Sequence, residues 1–299
     1  MTLMSVCRYR TRGTGRFGDT LLPARDARRT SARPRTDQGM DMTEDRKALI
    51  DQGIIETRNL AECLAVDQRL LAEKVIQGLD NTLGHALTEA AEASHGQGIS
   101  KKIATIGQAL GHWLETAPAD LRAHLREGLF SHPSDTVRGW AAFANAWMLR
   151  DSNTANALQS QLRFATDSHF GVREWAWLAL RPHLLDDLEA SITLLCRHAA
   201  SDDPLIRRFS VEILRPRGVW CEHIARLKQE PEIAEPLLLP RLAEADKYPQ
   251  DSVANWLNDA SKTRPDWVRQ VFERYPPACK ASTRIFSRAT RSLPALAVN

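Results

Sequence analysis

Three acidic residues, Glu174, Glu212 and Asp259, are the side chains whose types and spacing could do chemistry together. Each follows an Arg or Gln that recurs along the chain: Glu174 by one residue, Glu212 by five and Asp259 by nine. Steps of four residues keep a side chain on the same face of a helix and move it by about one turn. Three stacked helices would therefore present the three carboxylates as a diagonal stripe on one surface.

Carboxylates on one surface can stabilise positive charge that develops on a bound molecule, and they can position water for attack. Trp220 follows its recurring Arg by 13 residues and continues the stripe, although Pro216 should end the helix before it. An indole at that point could stack on a flat ring or attract a cation. An acidic residue on a helix is more often solvated or half of an ion pair, so a purely structural role is the alternative.

The residues that set this register recur about every 34 residues. Arg138, Arg173 and Arg207 each follow an aliphatic residue, and Gln250 and Arg284 stand at the next two repeats, which gives steps of 35, 34, 43 and 34 residues. One helical hairpin cannot bury its apolar face alone, so a period of this length is typical of hairpins that stack into a solenoid. We therefore predict an all-α fold of stacked helical repeats.

Apolar spacing and prolines predict where several helices begin and end. Residues 58–79 have helical spacing with a break near Asp67, and residues 99–114 and 119–130 form a pair of helices split by Pro118. Most of the later prolines fall where a helix should start or stop, and Pro216 should end the helix of its repeat. No alternation typical of a large sheet stands out.

The composition fits a helical protein with a sizeable core. Hydrophobic residues make up 43% and charged residues 26% of the 299 residues, which are ordinary values for a globular protein. The five cysteines lie far apart with no CxxC pair, so we predict neither a zinc site nor a disulfide framework, and no cofactor. No apolar run approaches the roughly 18 residues that cross a bilayer, so we predict no membrane insertion.

Residues 1–41 differ from the rest of the chain. They contain nine Arg, no Lys and four Asp, with little apolar periodicity. A segment with so little apolar surface cannot offset its ordering entropy, so we predict an Arg-rich, disordered leader or a mis-assigned start with translation beginning at Met40 or Met42. A basic arm for nucleic acid and an organellar presequence are the alternatives. We predict one helical-repeat domain over residues 42–299.

Without those residues the chain is slightly acidic. Residues 42–299 contain 31 basic and 33 acidic residues, a formal net charge of −2, whereas the whole chain carries +3. Any affinity of this part for nucleic acid would therefore have to come from arrangement, with Arg and Lys gathered on one face.

Three segments resemble the AlkC branch of the AlkC/AlkD superfamily of bacterial DNA-alkylation repair proteins, which are HEAT-like repeat DNA glycosylases. They are HFGVREWAWLALRPHL (169–184), DDPLIRRFSVEILRPRGVWC (202–221) and DSVANWLNDASKTRPDWV (251–268). The resemblance implies a right-handed, C-shaped solenoid whose concave face grips duplex DNA. It also implies a DNA glycosylase in base excision repair that releases cationic methylated bases, chiefly 3-methyladenine, as a monomer in the bacterial cytosol or nucleoid.

The resemblance gives the candidate residues their roles. Glu174 and Asp259 would flank the sugar of the damaged nucleotide, Glu212 would help to orient water or the lesion, and Trp220 would stack on the exposed nucleotide. Weaker candidates for contact with the nucleotide are Trp175, Trp177 and Trp256. The candidates for DNA phosphate contacts are Arg208, Arg215, Arg217, Lys247, Lys262, Arg284 and Arg288.

Structural alternatives accompany these assignments. The weaker Trp candidates are at positions typical of core packing. The recurring arginines would bond to neighbouring acids within the stack, and His169 would cap or pack. For the whole protein, the alternative function is a non-catalytic HEAT-repeat scaffold that binds DNA structures or a protein, because helical solenoids serve mostly as interaction surfaces.

Overall fold

The computed structural model describes residues 43–76 and 81–293, and these residues form 16 α-helices with no β-strand among them. The predicted all-α fold is confirmed. The leader predicted over residues 1–41 lies outside the described residues. The helices are α1 (Glu44–Asp51), α2 (Leu60–Ala65), α3 (Gln68–Ile76), α4 (Asn81–Ala93), α5 (Ile99–Thr116), α6 (Ala119–Phe130), α7 (Asp135–Met148), α8 (Thr154–Ala165), α9 (Phe170–Leu180), α10 (Leu188–Ala199), α11 (Pro204–Glu212), α12 (Ala225–Gln229), α13 (Glu235–Leu238), α14 (Lys247–Ser261), α15 (Pro265–Arg274) and α16 (Lys280–Ala289).

The helices from α5 onward stack as hairpins in two rows. In the first row α5, α7, α9, α11, α14 and α16 follow one another side by side, and the contact between α9 and α11 is the smallest of the row. The second row packs against the first through α6, α8, α10 and α15. The predicted helical repeats are therefore present, and all three candidate carboxylates lie on helices of the first row.

The recurring residue makes the same hydrogen bonds in four of the five repeats, and Arg284 in the last one bonds to the side chains of Gln250 and Asp251 instead. Arg138 donates from Nη1 to the backbone carbonyls six and five residues before it, and Arg173 and Arg207 do the same. Gln250 repeats this pattern with its side-chain amide. These residues therefore fix the loops that lead into α7, α9, α11 and α14, and a Gln can replace the Arg because its side-chain amide reaches the same two carbonyls.

Acids complete the bonding of these arginines. Arg138 donates from Nε to Asp167 at 2.8 Å, and Arg207 donates from Nη2 to Glu244 at 2.9 Å and to Asp246 at 2.6 Å. The prediction that the recurring arginines bond to neighbouring acids is therefore confirmed for Arg138 and Arg207, whereas Arg173 donates to the hydroxyl of Tyr248. The guanidinium groups of Arg138 and Arg207 are committed to backbone carbonyls and carboxylates and leave no donor fork facing solvent.

Local sequence sets the helix boundaries. Pro204 and Pro265 begin α11 and α15, where the missing N–H costs no hydrogen bond. Helix α11 ends at Glu212, four residues before Pro216, as predicted. His169 caps α9, because its Nδ1 accepts from the N–H of Gly171 at 3.1 Å. The capping role given to His169 is confirmed.

Large aromatic side chains are buried within the helical stack. Trp140, Trp177 and Trp256 are fully buried, and Trp175 is almost so. Gly139 on α7 makes the close approach of α9 possible, since a Cβ there would lie 2.6 Å from Cδ1 of Trp175. The packing of α7 on α9 therefore fixes Trp175, which lies beside the candidate site. Within the described part of the chain, no helix combines the length and the apolar character needed to span a membrane.

Candidate active site

Glu174 on α9 has a carboxylate that two donors hold in place. The indole Nε1 of Trp177 donates to Oε2 at 2.8 Å, and Nη2 of Arg208 on α11 donates to Oε1. The side chain of Glu174 is 24% exposed, against 5% for Glu212 and 4% for Asp259. Glu174 is therefore the carboxylate of the three that solvent reaches most readily.

Glu212 on α11 is the central carboxylate. Its Oε1 accepts from Nη1 of Arg215 at 2.7 Å and lies 3.9 Å from Nη2 of Arg208, and its Oε2 accepts from the hydroxyl of Ser252. Burial alone would raise the pKa of Glu212, but the charges of Arg208 and Arg215 outweigh it and hold this pKa below its usual value. Glu212 is therefore a buried anion that anchors two arginines, and its predicted role in orienting water would require exposure that this structure does not give it.

Asp259 lies near the end of α14 and is also held by an arginine. Nε of Arg215 donates to its Oδ2 at 3.0 Å, and Nζ of Lys262 lies 3.8 Å from its Oδ1. Arg217 donates from Nε to the backbone carbonyl of Asp259 at 3.3 Å. Because Lys262 is exposed, Asp259 lies just beneath the protein surface, covered by two cations.

Ion pairs join the three carboxylates into one row that crosses α9, α11 and α14. Arg208 connects Glu174 with Glu212, and Arg215 connects Glu212 with Asp259. Three acids and two guanidinium groups leave a formal charge of −1 in this row, which we call the acid row. The stripe predicted from the sequence is therefore a connected cluster. In the described ranges, no group of three or more His, Cys, Asp or Glu is arranged to hold a metal ion.

Trp220 lies in the loop between α11 and α12. Its φ is 61°, and among the described residues other than glycine it is the one with a positive φ. This conformation is strained for a bulky side chain, and such strain is often found at functional sites. Trp220 is 43% exposed. One face of its indole stacks on Trp175 of α9, with centroids 6.0 Å apart and planes inclined by 26°.

Buried donors hold this loop in place. Arg181 follows α9 and donates from Nη1 to the carbonyl of Ile213 at 2.7 Å, and from Nη2 to the carbonyls of Arg215 and Glu222 at 2.9 and 3.0 Å. Through these bonds the loop that carries Trp220 is fixed to the helix that carries Glu174. The structure thus places the exposed indole on Trp175, the residue after Glu174, without needing the helix that the sequence stripe assumed.

The other tryptophans serve packing. Trp177 and Trp256 are buried, and Nε1 of Trp256 donates to the carbonyl of Leu214 at 2.9 Å. The packing interpretation of Trp175, Trp177 and Trp256 is confirmed. Their contact with a nucleotide, given as a weaker possibility, would require these side chains to leave the core.

The candidate phosphate contacts separate into buried and accessible cations. Arg208 and Arg215 are buried in the acid row, whereas Lys247 and Lys262 are exposed. The half-buried cations are Arg217, Arg284 and Arg288, of which Arg284 and Arg288 both pair with Asp251 of α14. Lys247 and Lys262 at the two ends of α14 are therefore the candidates with the freest access to a phosphate.

Tyr248 is a site residue to which the sequence analysis gave no role. It stands in the first turn of α14, and its ring lies 4.9 Å from Cζ of Arg208 and 5.2 Å from Cζ of Arg173. Nε of Arg173 donates to the Tyr248 hydroxyl at 3.3 Å. The sequence did hold one signal for Tyr248. Arg173 and Gln250 hold equivalent positions in their repeats, and Tyr248 lies only two residues before Gln250.

No family model matches the sequence. A stretch of 115 residues, 38% of the chain, is 35% identical to the protein YhaZ of Bacillus subtilis strain 168, whose name gives no function. This stretch matches 32% of YhaZ, so it corresponds to about a third of the length of that relative.

Solved structures share the fold over most of the chain. The alkylpurine DNA glycosylase AlkC of Pseudomonas fluorescens, bound to DNA containing an abasic site analog, superposes with a TM-score of 0.57 at 20% identity, over 84% of this chain and 63% of that one. AlkD2 of Streptococcus mutans gives a TM-score of 0.55 at 18% identity, over 72% of this chain and 99% of that one. The stacked helical hairpins that carry the acid row therefore have the AlkC/AlkD-type fold, as the resemblance in the sequence implied.

Proposed function

We propose that this protein is a DNA N-glycosylase that releases cationic alkylated bases, with 3-methyladenine as the expected substrate, from duplex DNA. The observation that carries the proposal is the acid row, in which two arginines join carboxylates from three successive first-row helices, while the exposed Trp220 stacks on Trp175, the neighbour of Glu174 in the sequence. The likeness to AlkC, a DNA-bound alkylpurine DNA glycosylase, supports a role in DNA repair. That likeness concerns the fold, so the proposed chemistry is argued from the residues of the acid row and Trp220.

The reaction needs a negatively charged group near the sugar and does not need a proton donor. An N3-methylated adenine carries a positive charge, so when the glycosidic bond breaks its electron pair neutralises the base, and the leaving group needs no proton. Positive charge then develops on the deoxyribose, and a water molecule adds at C1′ and loses a proton. A fixed carboxylate stabilises that charge. Glu174 is the best-exposed candidate for this contact. Asp259 is the second candidate, and it would reach the sugar only once Lys262, which covers it, moves aside.

Trp220 would recognise the lesion. One face of its indole is occupied by Trp175, and its exposed surface is available to a nucleotide or to the cationic base. A cation over an indole gains about 0.5 to 2 kcal/mol, which favours the charged lesion over a normal base. Lys247 and Lys262 would bind phosphates at the two ends of α14.

We propose that the lesion is engaged without base flipping. Flipping requires a tight pocket that repays the cost of unstacking the base. The acid row and Trp220 instead lie on the faces and connecting loop of stacked helices, where a sugar and its phosphates can approach from the backbone side. The protein would act in this way as a monomer.

The direct test is release of methylated bases from methylated duplex DNA by the purified protein. We expect the wild-type protein to release 3-methyladenine, and Glu174→Gln and Asp259→Asn each to slow the release by at least about tenfold, because each removes one charge from the acid row. Glu273→Gln, an exposed acid on α15, is the matched control and should release the base at the wild-type rate. Unchanged release by both site variants would remove these carboxylates from the mechanism.

One observation favours a second candidate, a non-catalytic scaffold that binds DNA. Glu212 and Asp259 are both paired with Arg215 and almost inaccessible, which is the arrangement a purely structural ion network needs. A scaffold would bind duplex DNA with a steep loss of affinity as salt rises, yet release no base. The excision assay and the salt dependence of DNA binding together separate the two functions.

A further inference from the structure

Arg208 connects Glu174 with the rest of the acid row, and it is itself buried. Its Nη2 donates to Oε1 of Glu174 and lies 3.9 Å from Oε1 of Glu212. The second donor to Glu174, the indole of Trp177, belongs to the fully buried core, where close packing holds its direction. The orientation of the Glu174 carboxylate therefore depends on how firmly the long side chain of Arg208 is held.

Tyr248 provides the surface that holds Arg208. Its ring lies 4.9 Å from Cζ of Arg208 on one side and 5.2 Å from Cζ of Arg173 on another, so it contacts guanidinium groups from both α11 and α9. Attraction between a guanidinium and an aromatic ring strengthens where water is excluded. The hydroxyl of Tyr248 accepts from Nε of Arg173 at 3.3 Å, whereas the guanidinium of Arg208 packs against the ring.

We propose that Tyr248 is a positioning residue whose ring holds Arg208 against Glu174 and thereby fixes the Glu174 carboxylate at the site. The expected effect on base excision rests on the proposed function. The positioning of Arg208 and Glu174 by Tyr248 does not depend on that function. Since the ring is the part that contacts Arg208, Phe at position 248 should suffice, and an aliphatic side chain should not.

The first measurement is the rate of base release with protein in excess over methylated duplex DNA. We expect Tyr248→Leu to lower the maximal rate by about tenfold and to change the half-saturating protein concentration by less than about twofold, because misplacing a charged group affects the chemical step most. Tyr248→Phe should stay within about twofold of the wild-type rate. Tyr275→Leu is the matched control, since Tyr275 also packs on an arginine, Arg274, but lies on the exposed end of α15.

The second measurement does not depend on activity. The indole N–H of Trp177 donates to Glu174, so its NMR resonance, assigned with Trp177→Phe, reports whether the carboxylate stays in place. We expect this resonance to move in Tyr248→Leu and to stay in Tyr248→Phe and Tyr275→Leu. Circular dichroism checks that each variant is folded. If Tyr248→Leu does not fold, Arg208→Lys takes its place, since it keeps the charge but loses the planar group that lies against the ring.

Each outcome decides the proposal. An unmoved Trp177 resonance in Tyr248→Leu, or in Arg208→Lys where that variant is used, would overturn it whatever the rate, and a wild-type rate would overturn its effect on excision. Equal losses in Tyr248→Phe and Tyr248→Leu would also overturn it, because the hydroxyl and Arg173 would then be responsible. If the wild-type protein releases no base at all, the proposed function fails, and the Trp177 resonance alone still decides whether Tyr248 positions Glu174.

Discussion

Arg215 donates to Asp259 from Nε at 3.0 Å, and this bond ties the loop after α11 to the end of α14. The same guanidinium donates from Nη1 to Glu212 at 2.7 Å. One arginine therefore compensates two buried carboxylates from two helices. The pKa of Arg215 is raised, since the two carboxylates outweigh the effect of its burial, so it stays charged at every pH at which the protein is folded.

Arg215→Ala should destabilise the protein strongly. The substitution leaves Glu212 and Asp259 buried with much of their compensating charge removed, and breaking a buried pair in this way costs about 3 to 5 kcal/mol. The free energy of unfolding, measured with urea, checks this. Arg226→Ala is the control because its pair with Glu189 is exposed, and it should leave the unfolding midpoint unchanged. A small effect in Arg215→Ala would mean that water already reaches these carboxylates.

Glu212 should make stability depend on pH in the acid range. Its pKa in the folded protein lies below the ordinary value of 4.5, so its contribution is complete above that value and is lost as pH falls towards the folded pKa. Wild-type protein should therefore lose stability below about pH 4.5 more steeply than Glu212→Gln. Urea unfolding between pH 7 and pH 3 measures both slopes. Equal slopes would show that Glu212 is not the ionised group described above.

Two tryptophans should respond oppositely to truncation. Trp256→Ala removes a fully buried indole that donates to the carbonyl of Leu214, so it should cost about 3 to 5 kcal/mol of stability. Trp220→Ala removes an exposed indole in a strained conformation, so it should cost less than about 1 kcal/mol. Trp220→Ala should instead weaken binding to duplexes that carry a cationic methylated base. DNA affinity and urea unfolding are measured on both variants. A large loss of stability in Trp220→Ala, or none in Trp256→Ala, would contradict the prediction.

Lys247 and Lys262 should account for part of the salt dependence of DNA binding. Each phosphate contact contributes about one unit to the slope of log affinity against log salt concentration. Lys247→Ala and Lys262→Ala should each reduce the slope by about that amount, as measured by fluorescence anisotropy of labelled duplex DNA. Lys101→Ala, an exposed lysine on α5, serves as the control. Slopes unchanged in both site variants would place the phosphates elsewhere.

Much of the fold follows from local sequence. The predicted helix over residues 119–130 has the same limits in the structure, and the break predicted near Asp67 lies between α2 and α3. Helix boundaries depend on caps, prolines and apolar spacing within a few residues, all of which are visible in the chain. The recurring Arg predicted the repeats for the same reason, because its bonds to carbonyls reach back five and six residues.

The partners of the acid row could not be predicted in this way. Glu174 meets Arg208 across 34 residues, and Asp259 meets Arg215 across 44. Helical periodicity gave the face on which each acid lies, but the pairing depends on how far α9, α11 and α14 slide and rotate against one another as their cores pack. Exposure is decided by the same packing, which left Glu174 accessible and buried Glu212 and Asp259.

The sequence by itself therefore determined the repeat, the helices and the helix faces that carry the acids, because these depend on residues close together in the chain. Tertiary structure alone decided that arginines stand between the acids, that Tyr248 lies against one of them, and that Trp220 stacks on Trp175 from a strained loop. The physical reason is that burial and ion pairing between helices minimise the free energy of the whole stack, in which side chains distant in sequence share one desolvated volume.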